Sequence, residues 1–150
     1  MQIKEIKPAN FLFSRTETTV AELGSHLPTG QRLFAEAVKR QLTITGPIHW
    51  HYIGFDGDLT KRFTLEIALP VAEVLPEYDG PFHFKRTESF RCVSALHEGA
   101  WHEIPTTYEK LMGFMHANSL QPVALNREIY VQVDFSQPEA NFTLIQMGIQ

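Results

Sequence analysis

Phe63-Thr64-Leu65-Glu66-Ile67-Ala68-Leu69-Pro70-Val71 and Phe142-Thr143-Leu144-Ile145-Gln146-Met147-Gly148-Ile149 open alike and alternate alike. Each comes after a shorter aromatic stretch, Trp50-His51-Tyr52 behind Gly46-Pro47 in the first case and Glu128-Ile129-Tyr130 in the second. One offset of 78 positions sets Tyr52 on Tyr130, Ile53 on Val131, Ile67 on Ile145, Leu69 on Met147 and Leu33 on Leu111. The chain therefore reads as an internal repeat, about residues 1–72 and 82–150 of a single 1–150 domain. A half that cannot bury its own apolar face packs on its twin, and the seam between them is a natural place for a pocket.

Outward from these stretches, the period of the apolar residues changes. Leu27, Leu33, Phe34, Ala37, Val38 and Leu42 recur at helical spacing, with Pro28 suited to a first turn and Gly46-Pro47 as a stop beyond Leu42. Tyr108, Leu111, Met112 and Met115 mark a second helix beginning near Pro105 with Thr106 and Thr107. Strands are expected from Ile3 through Phe13, from Ile48 to Phe55 before the turn at Asp56-Gly57-Asp58, and from Arg62 to Val71. Further strands are expected over Phe84–Leu96, Arg127–Val133 and Phe142–Ile149. The order is β-α-β-β, twice, in an α+β fold. Residues 72–83, with Pro76, Gly80 and Pro81, are too short a connection to separate two domains.

At 43% hydrophobic and 20% charged residues, 150 residues suffice for a true core. No apolar run approaches the roughly 20 residues of a membrane span, and Met1-Gln2-Ile3-Lys4-Glu5 does not read as a signal segment, so a cytoplasmic protein without membrane contact is expected. A formal charge of −4 without a Lys/Arg cluster argues against direct nucleic-acid binding. Cys92 is the only cysteine, so no intrachain disulfide can form, and its place in an apparent strand marks it as a buried, inert thiol.

Side chains alternate along a strand. Ile129, Val131 and Val133 share one face and are expected to pack on the helices, as are Ile67, Leu69, Val71, Ile145, Met147 and Ile149. The opposite, helix-free faces then collect Trp50, Tyr52, Glu66, Glu128 and Tyr130. Either that face meets water, where Tyr and Glu are common, or it lines a site for a flat or cationic organic ligand, with rings giving area and cation–π attraction and a carboxylate giving charge complementarity.

Arg127-Glu128-Ile129-Tyr130-Val131, with the Phe142–Ile149 stretch after it, resembles the end of the GyrI-like small-molecule-binding domains. His97-Glu98-Gly99-Ala100-Trp101 is similar to that family's H-x-G-P-Y turn, and Gly46-Pro47 with the run to Pro70-Val71 fits its first half. The resemblance covers essentially the whole chain. It implies duplicated β-α-β-β modules related by a pseudo-twofold axis, antiparallel sheets with a ligand cleft between them, and two main helices on the outer face. Many members of this bacterial family are effector-binding domains behind AraC- or MerR-type DNA-binding regions. Others stand alone, some as inhibitors of DNA gyrase or hydrolases of strained electrophilic compounds. Glu128 and Tyr130 would be the polar floor of the cleft, with Trp50, Tyr52 and Trp101 as walls. Two departures stand out: Leu144 replaces a usual Glu, and Ala100-Trp101 replaces Pro-Tyr. With a strand expected almost at Met1, no helix-turn-helix is expected ahead of the domain, which points to a stand-alone member.

No nucleophile elbow, P-loop or dinucleotide fingerprint is present, and no cofactor is expected. His49 and His51 lie two apart on one strand face, but no third ligand stands at a recognised spacing, so no metal is expected. His97 reads as a turn or cleft-edge residue. The expected function is capture of lipophilic aromatic compounds, cationic ones included, by Trp50, Tyr52, Glu66, Trp101, Glu128 and Tyr130, linked to transcription regulation or multidrug resistance. Two alternatives are a hydrolase with Glu128 as acid or base assisted by Tyr130, and a gyrase-inhibitor-like module with a protein partner or a homodimer interface.

Overall fold

The computed structural model describes all 150 residues. In chain order it contains β1 (Gln2–Ile6), β2 (Asn10–Thr18), a 3-10 segment (Val20–His26), α1 (Pro28–Lys39), β3 (His49–Ile53) and β4 (Phe63–Val71). Next come β5 (His83–Arg86), β6 (Phe90–Glu98), a 3-10 turn (Trp101–Glu103), α2 (Ile104–Ala117), β7 (Pro122–Gln132), a 3-10 turn (Pro138–Ala140) and β8 (Phe142–Ile149). Both helices begin with Pro in the first turn, where its missing N–H is not needed. No helix is long and apolar enough to cross a membrane.

All eight strands form one antiparallel sheet in the order β1-β6-β8-β7-β3-β4-β2-β5. This corrects the expectation of separate sheets facing each other across a cleft. The expected opening strand over Ile3–Phe13 is two strands, broken at Pro8, which can neither donate to a ladder nor leave its predecessor free. The expected strand over Phe84–Leu96 is likewise split into β5 and β6.

These short breaks dictate the shape of the sheet. β1 and β2 stand six strand positions apart, roughly 29 Å across a flat sheet at about 4.8 Å per strand. The Lys7–Ala9 link between them spans at most about 14 Å. The Thr87–Ser89 link between β5 and β6 imposes the same limit. The sheet must curl until its ends approach. The two links are tied by Thr87 N donating to Ala9 O (2.8 Å) and Ala9 N donating to Thr87 Oγ1 (3.0 Å). The curl is towards the face without helices, where Lys85 of β5 reaches across to His51 of β3.

The other face carries the main core. Leu33 and Ala37 of α1 bury against Leu12, Leu65, Ile67 and Leu69, and Leu111 and Met115 of α2 against Val93, Ile145, Met147 and Ile149. α1 thus lies over β2 and β4, and α2 over β6 and its neighbour β8. The central pair, β7 and β3, has no helix directly on it.

Gly148 sits inside the curl where β7 is irregular between Pro122 and Asn126. A Cβ there would lie 2.6 Å from Leu125 O, 2.7 Å from Val123 Cγ2 and 2.8 Å from the Phe90 ring. Gly148→Ala is therefore expected to destabilise the fold by about 1–3 kcal/mol, read as a lowered urea midpoint at unchanged slope.

Candidate functional site

Residues directly paired across a sheet share a face, and the register places the site on the helix side. Glu128 pairs with Ile145 and with Trp50, and Trp50 and Tyr52 pair with Ile67 and Leu65. Ile145, Ile67 and Leu65 belong to the core beneath the helices. Trp50, Tyr52, Glu128 and Tyr130 therefore face α1 and α2, a correction to their expected place on the helix-free face. Ile129 points the other way, and Val131 is exposed rather than packed on a helix. His49 and His51 share the face away from the helices, and no cluster of three metal-ligating side chains forms anywhere.

The uncovered central strands form the floor of a cleft of about 670 Å³, flanked by α1 and α2. Its walls include Leu27 just before α1, Phe34 from α1, Ile104, Tyr108 and Met112 from α2, and Trp101 from the turn before α2. Phe55 and Leu59 of the β3–β4 loop and Phe135 of the β7–β8 loop stand at the mouth. The rings interlock edge to face: Tyr130 lies 5.8 Å from Trp50 and 5.5 Å from Trp101, which in turn lies 5.7 Å from Phe135. The charged side chains of the lining are Glu128 and Glu109; no Lys, Arg or His contributes.

Glu128 is 6% exposed and receives three phenolic hydrogen bonds. Tyr130 and Tyr52 donate to Oε1 at 2.7 and 3.2 Å, and Tyr108 donates to Oε2 at 2.8 Å. Burial raises the carboxyl pKa above its ordinary 4.5, while the three hydrogen bonds to the charged form pull it back. Burial and the neighbouring Glu128 charge push all three phenols well above 10, so they stay protonated as donors. The three donors come from β3, α2 and β7, so the carboxylate ties both halves of the chain together.

Of the expected ligand residues, the structure brings together Trp50, Tyr52, Trp101, Glu128 and Tyr130. It removes Glu66, which lies on the opposite face with its oxygens held by Arg15 (2.6 Å) and Lys85 (2.5 Å). The expected set lacked Tyr108, whose place on the apolar stripe of α2, three and four residues before Leu111 and Met112, put a polar-tipped ring towards the core. His97 does not line the cleft; its Nε2 donates to Ala100 O (2.9 Å) and its Nδ1 accepts from Thr107 (2.7 Å), pinning the Trp101 turn to the start of α2, which carries Tyr108. Cys92 is fully buried, and burial raises its thiol pKa.

This architecture defines a ligand-binding domain class, and the sequence places the chain within it. The profile of the family described as GyrI-like small molecule binding domain matches residues 1–146, and the chain belongs to that family. Among solved structures, it is similar to the C-terminal domain of EcmrR (18% identity, TM-score 0.78), covering 99% of this chain and 96% of that one. It is also similar to SAV2435 bound to tetraphenylphosphonium (16% identity, TM-score 0.69), covering 99% and 93%. A third is the hydrolase encoded by lin2189 from Listeria innocua (17% identity, TM-score 0.72), covering 99% and 91%. No curated protein matches the chain.

Because hydrogen bonds to the carboxylate lower its pKa, Tyr108→Phe is expected to raise the pKa of Glu128 further. The measurement is a carbon-13 titration of the Glu128 carboxyl in both proteins; an unchanged midpoint would remove Tyr108 from the network.

Proposed function

We propose that the chain binds lipophilic aromatic cations in the cleft between α1 and α2, as a small-molecule-binding module serving transcription regulation or drug resistance. One observation carries the reading: a buried carboxylate sits at the floor of an aromatic cleft whose charged lining is wholly acidic. A cation there gains from the rings, by about 0.5–2 kcal/mol for each well-placed contact, and from a carboxylate that burial shields from water. The volume suits a drug-sized molecule.

The hydrogen-bond pattern narrows the chemistry. A carboxylate offers about four lone-pair sites. Three are taken by Tyr52, Tyr108 and Tyr130. A primary ammonium, with three N–H donors to satisfy, would find one free acceptor on Glu128 and an apolar wall elsewhere. A quaternary, phosphonium or delocalised ring cation asks for none and fits better. The tetraphenylphosphonium bound by SAV2435 is of this kind. The same reading treats the halves as copies of one module. In support, the strand order reads the same from either end when β1–β4 are exchanged with β5–β8.

A hydrolytic reading rests on the same residue. The raised pKa of Glu128 and the one lone pair left on Oε2 would allow it to take a proton from water attacking an electrophilic ligand. It requires product formation that Glu128→Gln abolishes with the fold intact, whereas pure capture requires binding with no turnover.

Titration with tetraphenylphosphonium is expected to show saturable binding at neutral pH and little for a primary alkylammonium of similar size. Glu128→Gln should weaken it by roughly ten- to a hundredfold, the equivalent of losing about 1.4–3 kcal/mol of charge pairing. Affinity should also fall as pH drops, beginning above the ordinary glutamate value of 4.5, because protonation through the raised pKa removes the negative charge. Equal affinity of both proteins across pH would refute the role of Glu128.

A further inference from the structure

On the inner, helix-free face, the register lines up seven side chains across seven strands: Gln2, Ser94, Gln146, Arg127, His51, Glu66 and Arg15. The five central members are each at most 4% exposed. At one end Glu66 is satisfied, one oxygen by Arg15 and the other by Lys85. Near the other end, Ser94 Oγ, Gln146 Oε1 and Arg127 Nε have no hydrogen-bond partner.

The direction of the hydrogen bonds between these ends is set by Lys85. Its ammonium can only donate, so His51 Nδ1, 2.9 Å away, must accept. Neutral His51 then carries its proton on Nε2 and donates it to His49 Nδ1 at 3.1 Å. Neutral His49 in turn carries its proton on Nε2, the end of the chain, where no acceptor meets it. Both rings are held neutral. Burial, then the charges of Arg127 and Lys85, push the pKa of His49 down to about 3, and burial, then Lys85, hold His51 well below its usual value.

Arg127 is cross-strand to His51 and diagonal to His49. Its guanidinium lies 4.0 Å over the Phe90 ring and forms no ion pair. Gln146 is its cross-strand neighbour, but a turn of that amide could satisfy one of five N–H donors. A guanidinium this buried without an anion is expensive. The inner face therefore presents, on the neighbouring strands β3 and β7, two groups that can only donate: His49 Nε2–H, which no protein group accepts, and the Arg127 guanidinium, whose Nε is buried without a partner.

The geometry points to a binding site for a small oxyanion, a carboxylate or a phosphate, held by Arg127 and His49 on the inner face of the sheet and separate from the cleft. Lys85 is the positioning residue that, through His51, fixes which His49 nitrogen donates. Glu66 does not fill this role here: its oxygens bond Arg15 and Lys85, and neither Arg127 nor His49.

The test is a nitrogen-15 histidine and arginine NMR titration of the whole chain with sodium phosphate and, separately, sodium acetate, at ionic strength fixed with sodium chloride. Before addition, His49 and His51 should both be the Nε2–H tautomer. Either anion should then move the His49 Nε2 and Arg127 Nε signals saturably, and the ratio of the two affinities identifies the preferred source. Arg127→Gln should weaken that binding at least about tenfold, or 1.4 kcal/mol. If this variant fails to fold, His49→Gln should abolish the saturable shift at Arg127 Nε. A His49 proton on Nδ1, shifts that chloride alone reproduces, or equal affinity in wild type and the folded variant would overturn the site.

Discussion

Three residues between β1 and β2, and three between β5 and β6, constrain everything else. Chains that short cannot cross a flat eight-stranded sheet, so the sheet must curl, and the curl sorts the side chains into two unlike environments. Inside it, strands three positions apart come within reach of one another, which is how Lys85 meets His51 and how charged side chains become buried with no helix above them. Outside it, two helices cannot cover the whole surface. They settle over the flanking strand pairs and leave β3 and β7 open between them. The cleft is thus a gap left by packing, and the residues that fill its floor are those the two central strands present.

This origin explains why the floor is so strongly aromatic. Trp50, Tyr52 and Tyr130 must serve as core where they touch Ile67, Leu65 and the helices, and as ligand surface where they do not. Amphipathic rings satisfy both demands. Glu128 is the exception to an apolar floor, and burying a carboxylate there is tolerable because three phenols, one from α2 and one from each central strand, solvate it. The site and the fold therefore share interactions, and the carboxylate that would recognise a ligand also ties a helix to two strands.

Much of this was legible in the sequence. The helical stripe at Leu33, Ala37 and Leu111, the long strands ending at Val71 and Ile149, and the grouping of Glu128 with Tyr130, Trp50 and Tyr52 come from period and residue type, whereas Trp101 joined them only through the family resemblance. The face assignment failed because alternation fixes which residues of one strand share a face but not how neighbouring strands are registered. Setting Ile67 and Ile145 against the helices was right. Placing their cross-strand partners Trp50 and Glu128 on the other face was not, since direct partners cannot be separated. Glu66 joined the expected ligand set for the same reason; the register sets it opposite Arg15, and the curl of the sheet brings Lys85 to it. Tyr108 was read as a helix marker because a stripe of Leu, Met and Tyr looks apolar from sequence, and only tertiary packing reveals where its hydroxyl ends.

The chain contains two tryptophans, and both line the cleft, Trp50 in its floor and Trp101 in its wall. Indole emission from the unlabelled protein thus originates entirely at the walls of one hollow. Any guest that stacks on those rings changes a signal undiluted by indoles elsewhere, so the molecule carries its own optical gauge of occupancy.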